Sequence, residues 1–152
     1  MSNGIKMSNC RFYVDETART VVCVIPNTKN MVMDFIVEHF DWHDVNMYEA
    51  VNSWDNKFYT KLYMPNSFMG KAVCAAEDEW DEELGRKIAF ARAKDKCYKS
   101  FFKRANLFVQ TVDARLGDMI TAFNDFGMKL ENKREALQQQ IDEKIRPESE
   151  GE

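Results

Sequence analysis

Between residues 98 and 137, apolar side chains recur at alternating spacings of four and three. Tyr98, Phe102, Ala105, Val109, Val112, Leu116, Met119, Phe123, Phe126 and Leu130 keep that rhythm without a break. Lys133 interrupts it and Leu137 resumes it. A repeat averaging 3.5 residues lines one side of an α-helix, so the stretch predicts a long helix with a heptad-like seam. At ~1.5 Å per residue it would be about 60 Å long, longer than a small sheet domain is wide. Part of the seam must therefore meet another helix, in this chain or another. Phe102, Val109, Val112, Leu116, Met119, Phe123, Phe126, Leu130 and Leu137 are its expected packing residues. The aromatics at 102, 123 and 126 are wide for a regular two-stranded coiled coil and suit irregular bundle packing better.

Two glycines bear on how the seam closes. Gly117 and Gly127 each weaken a helix interior by about 1 kcal/mol relative to alanine. Asn124-Asp125-Phe126-Gly127 also resembles a helix exit. A turn there would fold residues 128–145 back as a hairpin. Without a turn, the seam is expected to close by oligomerisation, as a dimer.

Upstream the period changes. Residues 10–14 and 19–25 are rich in β-branched and aromatic residues and flank a short polar connection, which is a hairpin pattern. Residues 28–40 fit a short amphipathic helix, with Asn27 or Thr28 as its cap. A further short helix is expected at 45–51. Residues 58–64 and 68–75 both look like strands, and Pro65-Asn66 separates them. Asp78 is a plausible N-cap for the next helix, whose first turn carries Glu79, Asp81, Glu82 and Glu83 near unpaired amides. Leu84, Ile88, Ala91 and Asp95 follow the helical period, and Gly85 would let that helix approach the sheet closely. The fold class expected is α+β: a small antiparallel sheet packed on a helix, followed by a long C-terminal helix or helical hairpin. The expected division is a flexible 1–9, an α+β domain at 10–95, a helical extension at 96–145 and a disordered tail at 146–152.

Charge supplies the main functional signal. The chain has a formal net charge of −4, which argues against a general nucleic-acid binder. Locally the balance reverses: residues 86–104 hold eight bases against Asp95 alone. Arg92, Lys96, Lys99 and Lys103 share a helix face, with Arg104 beside them. Such a ladder could track phosphates or meet an acidic protein surface. The plainer reading is a solvated face, or one paired with the six acids at 77–83. Trp54 and Trp80, beside acids and loops, are candidate interface anchors, though a tryptophan in so small a protein is more often partly buried core.

Catalytic chemistry finds little support. His39 and His43 are four apart, near Asp41 and Asp44, but no cysteine lies close, and no metal site is expected. No P-loop, dinucleotide fingerprint or nucleophile elbow occurs, so neither an enzyme nor a cofactor is expected. The four cysteines form no CxxC pair, and Cys10, Cys23 and Cys74, in expected strands, are read as small buried apolar residues. No apolar run follows the first residues and none approaches the ~20 that span a bilayer, so a protein without leader or membrane anchor is expected.

Residues 70–93, GKAVCAAEDEWDEELGRKIAFARA, resemble a segment of small accessory proteins from bacteriophages and prophages. The resemblance rests on a strand ending Ala-Val-Cys, then Asp78, Gly85, Ile88-Ala89 and Arg92-Ala93. Trp80 stands where that segment has phenylalanine. It covers about one sixth of the chain and carries over no catalytic residue. It implies an accessory protein in the host bacterial cytoplasm, acting by stoichiometric binding on a host protein or small anionic ligand, for instance a defence component. Occlusion by the basic helix and exposed aromatics would be its mechanism. The alternative is a nucleic-acid-binding accessory factor using the basic helix at 86–104.

Overall fold

A computed structural model of the chain describes residues 4–42, 45–46 and 57–145. The elements run β1 (Arg11–Asp15), β2 (Thr20–Pro26), α1 (Met31–Phe40), β3 (Asp41–Trp42), β4 (Val45–Asn46), β5 (Ser67–Val73) and α2 (Glu82–Ile145). Short 3₁₀ turns occur at Met7–Asn9 and Phe58–Lys61. The chain packs as two units, Met1–Gln110 and Thr111–Glu152. The fold is α+β, as the sequence predicts.

In the first unit, β1, β2 and β5 form an antiparallel sheet in the order β1-β2-β5. The β1–β2 connection is tied by Asp15, whose Oδ1 accepts from the Ala18 amide at 2.8 Å. It closes on Arg19 in the left-handed region, at φ 49°. Strand alternation sorts the central strand: Val21, Cys23 and Ile25 are buried, and Val22 and Val24 lie on the opposite, partly exposed face. Burial pushes the Cys23 thiol up to about 12 and the Cys97 thiol up to about 11. Both therefore stay protonated and inert at neutral pH.

The helix lies on the buried face of this sheet through small residues. At Gly70 of β5, a Cβ would stand 2.0 Å from the Ala89 carbonyl oxygen and 2.4 Å from the Ala93 amide nitrogen. Strand and helix backbones thus meet with no side chain between them. At Gly85 a Cβ would come within 2.8 Å of a Val21 methyl, which bears out the close approach expected there. The stripe facing the core is Gly85, Ala89, Ala93 and Cys97. Leu84 and Ile88, which follow the helical period, are 52% and 37% exposed, because the interface with the sheet is built from small residues for contact distance.

Further along α2, the same side meets α1 and the 58–64 segment. Cys97 Sγ lies 3.7 Å from Met31 Sδ, and Phe101 makes an edge contact with Phe35 at 5.5 Å. Phe108 approaches Phe58 at 6.5 Å, and Arg104 Nε donates to the Tyr63 carbonyl at 2.8 Å. Residues 58–64 are not a strand. Their backbone instead closes i→i+3 bonds, from the Thr60 amide to the Lys57 carbonyl at 3.1 Å and from the Leu62 amide to the Tyr59 carbonyl at 3.0 Å, and Phe58, Leu62 and Met64 are buried. The helix expected at 45–51 begins instead as β4, paired with β3, and the rest of that stretch lies outside the described residues. Thr28 is buried, and its hydroxyl donates to the Pro65 carbonyl at 2.5 Å, fastening the start of α1 to the approach to β5.

The start of α2 also differs from the expected cap. Asp81 Oδ1 accepts from the Leu84 amide at 2.9 Å, so Asp81 is the N-cap in place of Asp78. The reason lies in Arg19. Its guanidinium donates to the Ala76 carbonyl at 3.1 Å, to the Asp78 carbonyl and to Cys74 Sγ at 3.1 Å. Residues 74–78 are thereby held as a clamped connection and cannot join the helix.

In the second unit, α2 runs on through Gly117 and Gly127 to Ile145 without a turn, so the hairpin alternative does not form. From Asp113 to Ile145 every residue is exposed.

Gly70→Ala should lower the unfolding free energy by about 3 kcal/mol, the upper end for overpacking, because backbone atoms block the methyl. Gly85→Ala, opposed only by a Val21 methyl, should cost less. Urea denaturation of the two variants checks the order, and the reverse order would contradict the packing described.

Candidate functional site

The basic face of α2 divides by what each side chain touches. β5 is an edge strand, so alternate carbonyls on its outer side lack a strand partner. Arg92 Nη1 donates to the Lys71 carbonyl at 2.7 Å and Lys96 Nζ donates to the Met69 carbonyl at 2.9 Å. These two residues, one helical turn apart, close that edge. Arg104 is engaged with Tyr63 and, through Nη1, with Ser100 Oγ at 2.5 Å. Lys99 pairs with Asp95 at 2.8 Å and Lys87 with Glu83 at 2.8 Å. Arg86 pairs with Glu82 at 2.7 Å and lies over the Phe12 ring. Lys94 stands near the Phe90 and Tyr98 rings, 5.5 and 5.6 Å from their centroids.

Arg92, Lys96, Lys99 and Lys103 are thus brought onto one side of the helix, as the spacing predicts. Three of the four have intramolecular partners: Arg92 and Lys96 hold backbone carbonyls and keep their full charge, and Lys99 pairs with a carboxylate. Local helix pairs such as Lys99–Asp95 contribute only ~0.3–0.5 kcal/mol, but each also lowers the charge offered to a polyanion. The signal that could have separated structural from free cations is the neighbouring edge strand, which a helical wheel does not show.

Trp80 is half-buried and lines a cleft of about 190 Å³ with Val21, Leu84, Gly85 and Ile88. It belongs to the seat of α2 on the sheet. Trp54 and His43 lie outside the described residues. Among the described residues, no group of three or more His, Cys, Asp or Glu could hold a metal ion. No described helix is long and apolar enough to cross a membrane.

The seam behaves differently. Within the first unit, Phe102 and Val109 are 66% and 52% exposed, while their neighbours Phe101 and Phe108 are buried. One residue is about 100° of rotation, so the seam is a separate face from the one that meets sheet and α1. In the second unit, Leu116, Met119, Phe123, Phe126, Leu130 and Leu137 are 50–74% exposed. Burying such side chains contributes about 1.5–3 kcal/mol each when complete, so on the order of 5–10 kcal/mol per chain is left unrealised. A continuous apolar stripe of this length exceeds what isolated surfaces carry by chance. Gly117 and Gly127 add to the anomaly: no atom lies within 4 Å of where their Cβ would be. Packing within the described chain gives neither glycine a purpose.

Compared with protein-family models, with curated proteins and with solved structures, the chain matches none.

Arg92→Met and Lys96→Met should each lower the unfolding free energy by about 1 kcal/mol, since each leaves an edge carbonyl without its donor. Lys99→Met should change it by less than ~0.5 kcal/mol. Urea titration of the three variants measures this, and equal small effects would refute the edge-closing role.

Proposed function

We propose that this chain acts by stoichiometric binding, and that its working surface is the apolar seam of α2 beyond Gln110. The observation that carries this reading is the exposure of six large apolar side chains, Leu116, Met119, Phe123, Phe126, Leu130 and Leu137, in heptad spacing on a helix that nothing in the second unit covers. Heptad seams recognise helices, because a knob of one helix fits a hole between four residues of another. A helical surface of a protein is therefore the class of partner that fits.

The accessory role implied by the resemblance of residues 70–93, including action on a host defence component, is compatible with this surface. The nucleic-acid alternative is the less favoured, because Arg92, Lys96, Lys99 and Arg104 already have intramolecular partners. To contact a phosphate directly, each of these side chains would have to give up the contact it makes here.

Site-specific photocrosslinking in the expressing cell separates the two. A photoreactive residue at Met119 should join the chain to a protein, and the adduct should disappear when Phe123→Asp and Phe126→Asp are added. The same probe at Lys103 should give little protein or nucleic-acid adduct. Adducts confined to Lys103, or to nucleic acid, would overturn the reading.

A further inference from the structure

We infer that the seam between Val112 and Leu137 is closed by a second copy of this chain lying antiparallel to the first, with Phe123 of one copy opposite Phe126 of the other. This rests on the seam being a helix-binding surface, and it adds the occupant, its direction and its register.

Leu116, Phe123, Leu130 and Leu137 take one core position (a), and Met119, Phe126 and Lys133 take the other (d). A parallel pair would set each core residue against its own copy. Lys133 would then face the partner's Lys133, and Lys129 on the flank would face the partner's Arg134. Like charges in or beside an apolar core oppose that arrangement.

An antiparallel pair instead sets each a residue against a d residue, and it brings like flanking positions together. With the twofold axis between Asn124 and Asp125, Phe123 meets the partner's Phe126 and Leu130 meets the partner's Met119. Lys133 then lies beside the partner's Leu116, where its aliphatic stem can pack and its ammonium can reach water. On one flank, Asp113 meets the partner's Arg134, and the symmetry makes that pair twice. Both side chains are exposed in the single chain. Arg134 there contacts only the local Glu131, at 2.5 Å, among the ion pairs of the described residues. On the other flank, Arg115 and Lys129 fall opposite the partner's Ala136 and Ala122, so no like charges meet.

Neighbouring registers lack this complementarity. A shift of one heptad in one direction sets Arg115 against the partner's Lys129. The opposite shift sets Lys129 against its own copy.

Gly127 supports the same register independently. It has no neighbour within 4 Å of its Cβ direction in the single chain. In this pairing it lies opposite the partner's Ile120, whose side chain is 53% exposed in the single chain. A glycine there leaves room for Ile120 beside the two wide phenylalanine layers. The helix-weakening residue and the overlarge aromatics then become two halves of one fit.

Sedimentation equilibrium of the full chain tests the proposal through a charge exchange. The wild type should be a dimer. Asp113→Arg alone and Arg134→Asp alone should each weaken dimerisation about tenfold, as each makes two like-charge contacts. The double variant Asp113→Arg/Arg134→Asp should restore the wild-type constant. Positions 113 and 134 are roughly 30 Å apart along one helix at ~1.5 Å per residue, so only an antiparallel partner brings them together. A dimer in which the double variant adds the two losses would overturn the direction and register. A wild-type monomer would overturn self-pairing outright. The wider reading would survive that last result only if Met119 still crosslinks a different protein, and it falls with the inference if Met119 crosslinks nothing.

Discussion

The contact between Gly70 and the backbone of α2 at Ala89 and Ala93 decides how the first unit is built. Two backbones in direct contact leave no freedom in the height of the helix above the sheet. That height sets which neighbours the helix can touch. Gly85 must pass over Val21, and Arg92 and Lys96 come within reach of the carbonyls of β5. The next turns then meet Met31, Phe35 and Phe58 through Cys97, Phe101 and Phe108. The side of the helix used for this is fixed by small residues, and the seam is left on another side.

This division explains why the basic stretch and the seam have different standing. Cations placed next to an edge strand have backbone oxygens to satisfy, and two of them close an edge that would otherwise invite pairing with another chain. The spacing along the helix shows the charge of the stretch but not that Arg92 and Lys96 also reach the carbonyls of β5. The seam has the opposite history. Its rhythm is visible from the first reading, and from Asp113 onward every residue that carries it is exposed. The wide aromatics and the two glycines along this helix are the relief that the proposed partner helix would have to match.

Much of the architecture was legible in the sequence. The β1–β2 hairpin, α1 and β5 follow from two-residue and 3.6-residue periods, and the long helix from its heptads. What the sequence did not show has a common physical cause: it depended on distance between elements. Gly70, Ala89 and Ala93 carry little hydrophobic signal, so of the helix face toward the sheet only Gly85 was legible. Arg19 gives no local sign that it clamps residues 74–78 and delays the helix to Asp81. Phe58 to Met64 carry strand-forming side chains and an alternation of buried positions, yet the backbone closes i→i+3 bonds there that no side-chain pattern announces. Of the candidate site, the seam was legible residue by residue, whereas the roles of Arg92 and Lys96 needed the sheet edge.

The central claim is that residues 112–137 are helical because another helix covers them. Amide hydrogen exchange at two protein concentrations, one well above and one well below the dimerisation constant, addresses it directly. The account expects protection of residues 112–137 to rise with concentration while residues 85–108, held by the sheet and α1, stay equally protected in both. Identical exchange of residues 112–137 at both concentrations, with no protection beyond that of an isolated helix, would contradict it.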